Sequence, residues 1–453
     1  MPIYYLIMTW RRLIRHKGFS LINILGLSTG IASCLLIYGY AHHEMSYDDY
    51  HPLKDRIARI TSVLHTPDTT VSIAATPTPL AGALLREFPE VQATARIQSG
   101  NVNIRQGMKT FKEDHFVYSE SSVFTLFAFT FLKGSAPDAL SAPNSLVLTR
   151  STARKYFGDK EAVGQTLECN KQTFRVTAVI ADRPGNSDIS IDALLRKDFE
   201  KTAAWMADDF DVFTFVLFRG KPDLVAFDKK LPALCNRYMQ PELDKMDAGQ
   251  YHVSLHSEML TEVHFSKGKA EDTPKGNKAF NTIFSLLAVF ILLIALLNYI
   301  NLSTAKATER AREVGVRKVA GARPFQLVRQ FLGESFLLMG IAWLIAAGLA
   351  LAAVPFFNKL LSTHISLNGR SMILFLVALF PVTALLAGIY PSFVLSGFNP
   401  IRALKGGVIK GKGIGLRRVL SVIQFVIALG MLTSTVVIYS QMKYMMHRDL
   451  GMD

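Results

Sequence analysis

Acid is nearly missing from the two ends of this chain. Of its 36 Asp and Glu, five lie outside residues 43–276, where 22 Lys and Arg stand, while residues 43–276 hold 28 basic and 31 acidic residues. The formal net charge of +14 is thus segregated into a middle of −3 and flanks of +17. Basicity of this kind reports membrane topology and argues against a nucleic-acid footprint. Cysteine is also scarce. Cys34 lies in an apolar run, and Cys169 and Cys235 in the middle region leave room for one disulfide if that region meets an oxidising compartment, with two buried free thiols as the alternative.

Other absences narrow the chemistry. Gly406, Gly411 and Lys412 come close to a phosphate-cradling loop, but Gly413 stands where Ser or Thr must reach magnesium, and no strand pattern precedes it. ATP, if used, is expected on another chain. No Ser, His, Asp grouping stands out by local spacing, so a membrane-bound hydrolase has no motif behind it. No small-residue cleavage site closes the first apolar run, which is too long for a signal peptide and reads as a retained anchor.

What the chain has in abundance is long uncharged sequence. A spanning helix needs about 20 mostly apolar residues, and five stretches exceed that: between Lys17 and Glu44, Lys278 and Lys306, Glu334 and Lys359, Arg370 and Arg402, and Arg418 and Lys443. None carries a central charge, which disfavours a proton-driven carrier. The run from Thr69 to Leu85 is rich in Thr and holds Pro77 and Pro79, so it reads as a polar turn before a short helix. Lys and Arg collect in short cytoplasmic loops. Arg11, Arg12, Arg15 and Lys17 precede the first run, whereas Glu44, Asp48 and Asp49 follow it; basic clusters also follow the second and fourth runs. The N-terminus is therefore expected inside and residues 43–276 outside.

The fold class that follows is a membrane α-helical protein of about five spans with an inserted α+β extracytoplasmic domain. Within that domain Ser145–Thr149, Thr173–Ile180, Val212–Phe218 and Tyr251–His256 read as strands, Ser151–Phe157 as a short helix stopped by Gly158, and Leu224–Tyr238 as a helix. Pro184, Gly185 and Asn186 close a turn. An internal echo is present: Arg11-Arg12-Leu13 leads into Phe19 to Gly26, and Leu416-Arg417-Arg418 into Phe425 to Gly430. It suggests one repeat plus the first helix of a second.

Between the second and third runs, residues 301–324 read as a short basic helix that Ser303 or Thr304 caps and Gly321 stops, with a new helix beginning at Pro324. On physics alone it can be a juxtamembrane segment held by anionic lipid. The run Glu313-Val-Gly-Val-Arg-Lys-Val-Ala-Gly-Ala322, however, resembles the loop signature of FtsX-like and MacB-like permeases. Lys17-Gly-Phe-Ser-Leu-Ile-Asn-Ile-Leu-Gly-Leu27, Glu44-Met-Ser-Tyr-Asp48, Arg154-Lys-Tyr-Phe-Gly158, Asp182-Arg-Pro-Gly-Asn-Ser187 and Tyr390-Pro-Ser392 resemble the MacB-like type common in Bacteroidota.

The resemblance implies an anchor at 1–42, a MacB-like periplasmic core domain at 43–276, an FtsX-like permease domain at 279–400 with its coupling loop at 301–324, a basic linker at 401–418 and a fifth span at 419–442. It implies that Glu313, Gly315, Arg317, Lys318, Gly321 and Ala322 meet a separate ATPase subunit. The other implied partners are a second permease copy or tandem half, a periplasmic adaptor and membrane lipid, with no nucleic acid, no cofactor on this chain and ATP on the partner. The function implied is transmission of ATPase-driven motion to the outer domain, for export or for handling of an extracytoplasmic substrate. A ligand-sensing receptor and a regulator of a cell-wall hydrolase are the alternatives.

Two residue clusters admit metal binding on paper. His42, His43, Glu44, Asp48, Asp49 and His51 follow the first run, and His252, His256 and His264 recur on even positions; a polar membrane exit and a solvated strand face are the plainer readings. Asn281, Ser285, Asn298, Asn301 and Ser303 in the second run can line a path or bond neighbouring helices.

Overall fold

A computed structural model describes residues 17–446 apart from 107–108, 203–204, 207–209, 306, 362, 368 and 397–413. The near-miss phosphate loop and the basic residues Arg11, Arg12, Arg15, Arg402, Lys405, Lys410 and Lys412 lie outside the described residues. The chain divides into two compact units, one formed by the described residues up to His43 and from Ala279 onward, the other by Glu44–Lys278.

In the first unit, five helices are long and apolar enough to cross a membrane: α1 (Lys17–Met45), α2 (Lys278–Ala305), α4 (Pro324–Leu361), α5 (Arg370–Ser396) and α6 (Ile414–Met446). A shorter helix, α3 (Ala307–Val319), lies between α2 and α4 in sequence. With lipid as solvent, burial of apolar surface does not favour one helix pair over another, so close approach through small residues decides the packing. A Cβ on Gly30 would come within 2.5 Å of that of Ala295, which brings α1 against α2. Ala342, Ala346 and Ala350 of α4 and Ala384 and Ala387 of α5 are fully buried in the same way. Tyr299 donates to Ser335 at 3.0 Å and the Trp343 indole to Thr383 at 3.2 Å.

Among the described residues the second unit builds a 13-stranded sheet. The strands that organise it are β1 (Ile57–His65), β8 (Ser145–Thr149), β10 (Gln172–Ile180), β12 (Val212–Phe218) and β13 (His252–Met259). Besides these it contains β2 (Thr70–Ile73), β3 (Val91–Ser99), β4 (Val102–Gln106), β5 (Lys109–Glu113), β6 (Phe116–Ser119), β7 (Phe131–Lys133), β9 (Thr166–Cys169) and β11 (Ala193–Arg196). The order is β13-β1-β12-β3-β6-β11-β8-β10-β9-β4-β5, with β2 on β1 and β7 on β10. All but the β6/β11 and β8/β10 pairs are antiparallel.

Alternation along each strand separates the cores. Ile57, Phe213, Phe215, Leu217 and Val147 enter one core, whereas Ala58, Ile60, Val216 and Phe218 enter a second and Leu146 and Leu148 a third. Both faces are therefore covered, which is why β8 and β12 are buried at every position and read as continuous apolar runs. Full burial of each large apolar side chain contributes about 1.5–3 kcal/mol.

Several sequence readings change in detail. Leu224–Tyr238 is two helices, Leu224–Asp228 and Leu231–Tyr238, because Pro232 has no N–H to donate and sits in the first turn of the second. Residues 70–73 form β2 along β1 rather than a turn. Cys169 and Cys235 are both free, each buried in a different core, and burial pushes their thiols up to about 12 and about 11. Ser303 and Thr304 do not cap α3: α2 continues through Ala305, and the Thr304 hydroxyl bonds back to Ile300 O at 2.7 Å within the helix.

Candidate functional site

The segment following α2 builds a tight elbow. At the end of α3 the Ala322 N–H reaches the carbonyl of Arg317 at 3.0 Å and the Gly321 N–H that of Lys318 at 3.1 Å, the paired bonds of a Schellman motif. Gly321 adopts φ of +91°, which strains any residue with a Cβ. The chain restarts at once. Pro324 opens α4, where its missing N–H costs nothing, and the Gln326 side chain accepts from the Arg323 N–H at 3.1 Å.

One face of α3 is fixed to the helices beside it. Val314 is buried against Leu327 and Phe331 of α4, with Val394 of α5 packed on the cluster, and Gly315 is buried next to it. Arg317 pairs with Glu313 at 2.9 Å and donates to Gln330 of α4 at 2.6 Å; Gln330 in turn donates to Glu334 at 3.3 Å. The opposite side is uncovered: Val316 is 54 % exposed, Val319 69 % and Phe325 75 %, beside exposed Gly321 and Arg323.

Of the six residues singled out from sequence, Gly321 is exposed, Glu313, Arg317, Lys318 and Ala322 are half-buried, and Gly315 faces inward. Glu313 and Arg317 are brought together as a pair. Val316, Val319 and Phe325 went unnoticed. The signal was there, since a basic helix that already owns an inward Val314 has no internal use for two more valines.

The candidate metal clusters do not assemble. Among the described residues no group of three or more His, Cys, Asp or Glu could hold a metal. His42 stacks on Tyr38, Asp49 pairs with Lys54, and His252 and His256 lie on the exposed face of β13. Asn281 donates to Ala41 O at 3.2 Å and Asn301 to Ser421 and Gln424 at 3.4 Å, so these span residues bond neighbouring helices.

Glu44, Asp48, His51 and His264 instead enter a buried polar network at the two ends of the second unit's chain. The loop after β10 lies at its centre. Asp48 accepts from Ser187 at 3.1 Å and from the Asp188 N–H at 3.2 Å, while the Asp48 N–H donates to Asn186 O at 2.9 Å. Asn186 bonds Ser46 O, and Arg183 donates to the Tyr50 hydroxyl. His51 Nδ1 accepts from the Ala128 N–H at 3.0 Å; burial and the nearby Arg183 guanidinium push its pKa down to about 3. Burial pushes Asp48 up to about 6 against the pull of Arg183.

Two family descriptions match the chain: a MacB-like periplasmic core domain over residues 20–223 and an FtsX-like permease C-terminal region over 285–400. The macrolide export ATP-binding/permease protein MacB of Chromobacterium violaceum is 26 % identical over 320 residues, covering 70 % of this chain and 46 % of that protein. The pyoverdine export ATP-binding/permease protein PvdT of Pseudomonas syringae pv. tomato is 22 % identical over 332 residues, covering 71 % and 47 %. The chain thus spans about half the length of the curated relatives it matches. The periplasmic region of MacB from Actinobacillus actinomycetemcomitans superposes with a TM-score of 0.32 at 16 % identity, over 44 % of this chain and 89 % of that one.

Proposed function

Because this chain belongs to the family of ABC transporter permeases that join a MacB-like periplasmic core domain to an FtsX-like permease domain, we propose that it is the membrane subunit through which a separate ATPase drives the outer domain. The curated relatives are named as export proteins, and export or handling of an extracytoplasmic substrate is the activity proposed here. In this reading the N-terminus and the elbow are cytoplasmic, the outer unit is periplasmic, and ATP is bound and hydrolysed on the partner. The working unit is then a pair of permease copies or a tandem arrangement.

The observation that carries the proposal is the elbow. Its inner face is fixed by Val314, Arg317 and Gln330 to α4, while Val316, Val319 and Phe325 stand out. A lever needs a rigid root and a tip for something else to grip, and this reading takes the fixed inner face as the root and the exposed side chains as the tip. Apolar tips in a groove supply affinity, and Arg323 supplies charge selection. Motion reaches the outer unit only if the partner's nucleotide states prefer different positions of the lever.

The test is affinity purification of the tagged chain from its native membranes, comparing wild type with a Val319→Asp, Phe325→Asp double variant. The wild type should bring down an ATP-binding subunit, and the variant should lose it at least tenfold while keeping its expression and its elution position. Retention of the ATPase by the variant, or its absence from well-folded wild type, rejects the docking role and moves a ligand-sensing receptor ahead.

A further inference from the structure

We propose that His264, as an imidazolium, is the pin of a clasp that holds the segment leaving α1 and the segment entering α2 to the loop after β10, and that loss of its proton releases all three together. The coupling reading has no need of this device. The clasp is a property of the outer unit alone.

The geometry converges on one ring. His264 Nε2 lies 3.3 Å from Glu44 Oε2, where α1 ends, and Nδ1 lies 3.6 Å from Asp188 Oδ1, on the loop after β10. Tyr47 stacks on the imidazole at a centroid distance of 3.4 Å, and Phe265 meets it edge-on. From the returning segment, Lys275 donates to both oxygens of Asp188 at 2.9 and 2.8 Å, and Thr273 donates to it at 2.8 Å. Lys275 also pairs with Asp272 at 3.0 Å, and Asp272 takes both terminal nitrogens of the fully buried Arg59, which also binds Glu258; Lys269 completes the chain on Glu258.

Charge bookkeeping singles out the histidine. Five carboxylates share this network: Glu44, Asp48, Asp188, Asp272 and Glu258. Among the described residues, four permanent cations pair with or lie beside them: Arg59, Arg183, Lys269 and Lys275. A protonated His264 supplies the fifth, and its ion-pair partner Glu44 is itself buried. A buried carboxylate whose cation is removed is strongly destabilised. Burial alone would lower the imidazole's pKa, but the Asp188 and Glu44 carboxylates outweigh it and hold it above its ordinary value. A raised folded-state pKa gives a contribution that is complete below the unfolded value and is lost as pH rises through the folded one. The contribution of His264 to the clasp is therefore complete below the ordinary imidazole value and is lost as pH rises through the raised one.

Gly276 offers a way to open it without touching any charge. A Cβ there would collide with His264 Nε2 and lie 2.7 Å from Glu44 Oε2, in the space between the pair.

The experiment is hydrogen exchange with mass spectrometry on the full chain in lipid nanodiscs from pH 7 to pH 9, corrected for the intrinsic pH dependence of exchange and carried out without any ATPase. In wild type, residues 44–51, 186–189 and 264–276 should open with one shared equilibrium that rises about tenfold per pH unit once His264 titrates. His264→Gln should be open and flat across the range, and Gly276→Ala should open the same three segments together even at pH 7. Independent opening of the segments in wild type or in Gly276→Ala, or a pH dependence that survives in His264→Gln, overturns the clasp. Since no partner is present, these outcomes are separate from whether an ATPase co-purifies.

Discussion

The buried polar network of residues 44–278, called the foot below, and the elbow between α3 and α4 are opposite solutions to placing charge and apolar surface. At the foot, Arg59 and Asp188 are buried and Lys275 is half-buried, and each finds an oppositely charged partner within 3 Å. At the elbow Glu313, Arg317 and Lys318 are half-buried and Arg323 is exposed, and the exposed tips are Val316, Val319 and Phe325. A buried charge without a partner is unstable, so the foot completes its own contacts and becomes rigid. An exposed apolar tip is tolerated singly, but here two stand on the last turns of α3 and one on the first turn of α4. The difference is that the foot satisfies its charges within the chain, whereas the elbow leaves apolar side chains exposed.

The comparison can be broken most severely at Arg59. Arg59→Met leaves Asp272 and Glu258 facing each other in the interior, so β1 and β13 should lose about 3–5 kcal/mol of protection in native-state hydrogen exchange on the intact chain. A loss below about 1 kcal/mol would mean that water reaches this network and that the foot is no more committed than the elbow.

A smaller effect should appear in the pH profile. His51 binds its proton near pH 3 in the folded chain but near 6.5 when unfolded, so its contribution is present above 6.5 and is lost as pH falls. Asp48 works the other way: with a folded value of about 6 against 3.8, its contribution is complete below 3.8 and is lost as pH rises through about 6. Between pH 4 and 6 the two should nearly cancel in wild type. His51→Gln should expose the Asp48 part, so that the outer unit gains up to about 1.4 kcal/mol per pH unit as pH falls through that window. A variant whose stability stays flat from pH 4 to 6 would show that Asp48 is ordinary.

The smallest change belongs to the elbow. Arg317→Met removes a partly exposed i,i+4 pair, and helix protection there should fall by only about 0.3–0.5 kcal/mol. A loss approaching that of Arg59→Met would show that the Gln330 bond carries the elbow, and the contrast between the two regions would disappear.

Legibility in the sequence followed the range of the forces involved. The five spans, the strands at 145–149 and 212–218 and the stop at Gly321 were readable because each depends on neighbours in the chain: uncharged length, continuous apolar runs, and a backbone angle that suits glycine. The helix expected over 224–238 failed at Pro232, a local rule that outranked the apolar pattern around it.

Other features had no local signature. Glu44 and His264 are 220 positions apart and Arg59 and Asp272 are 213, and nothing near any of them distinguishes a polar membrane exit from half of a buried pair. The separation of Cys169 and Cys235 into different cores was hidden for the same reason. Hydropathy, charge asymmetry and turn chemistry act along the chain, so the sequence by itself determined that this protein crosses a membrane, carries an inserted domain and turns sharply before its third span. Ion pairing and burial act through space between residues brought together late, and only the tertiary structure decided which charges are satisfied and which apolar side chains stay exposed.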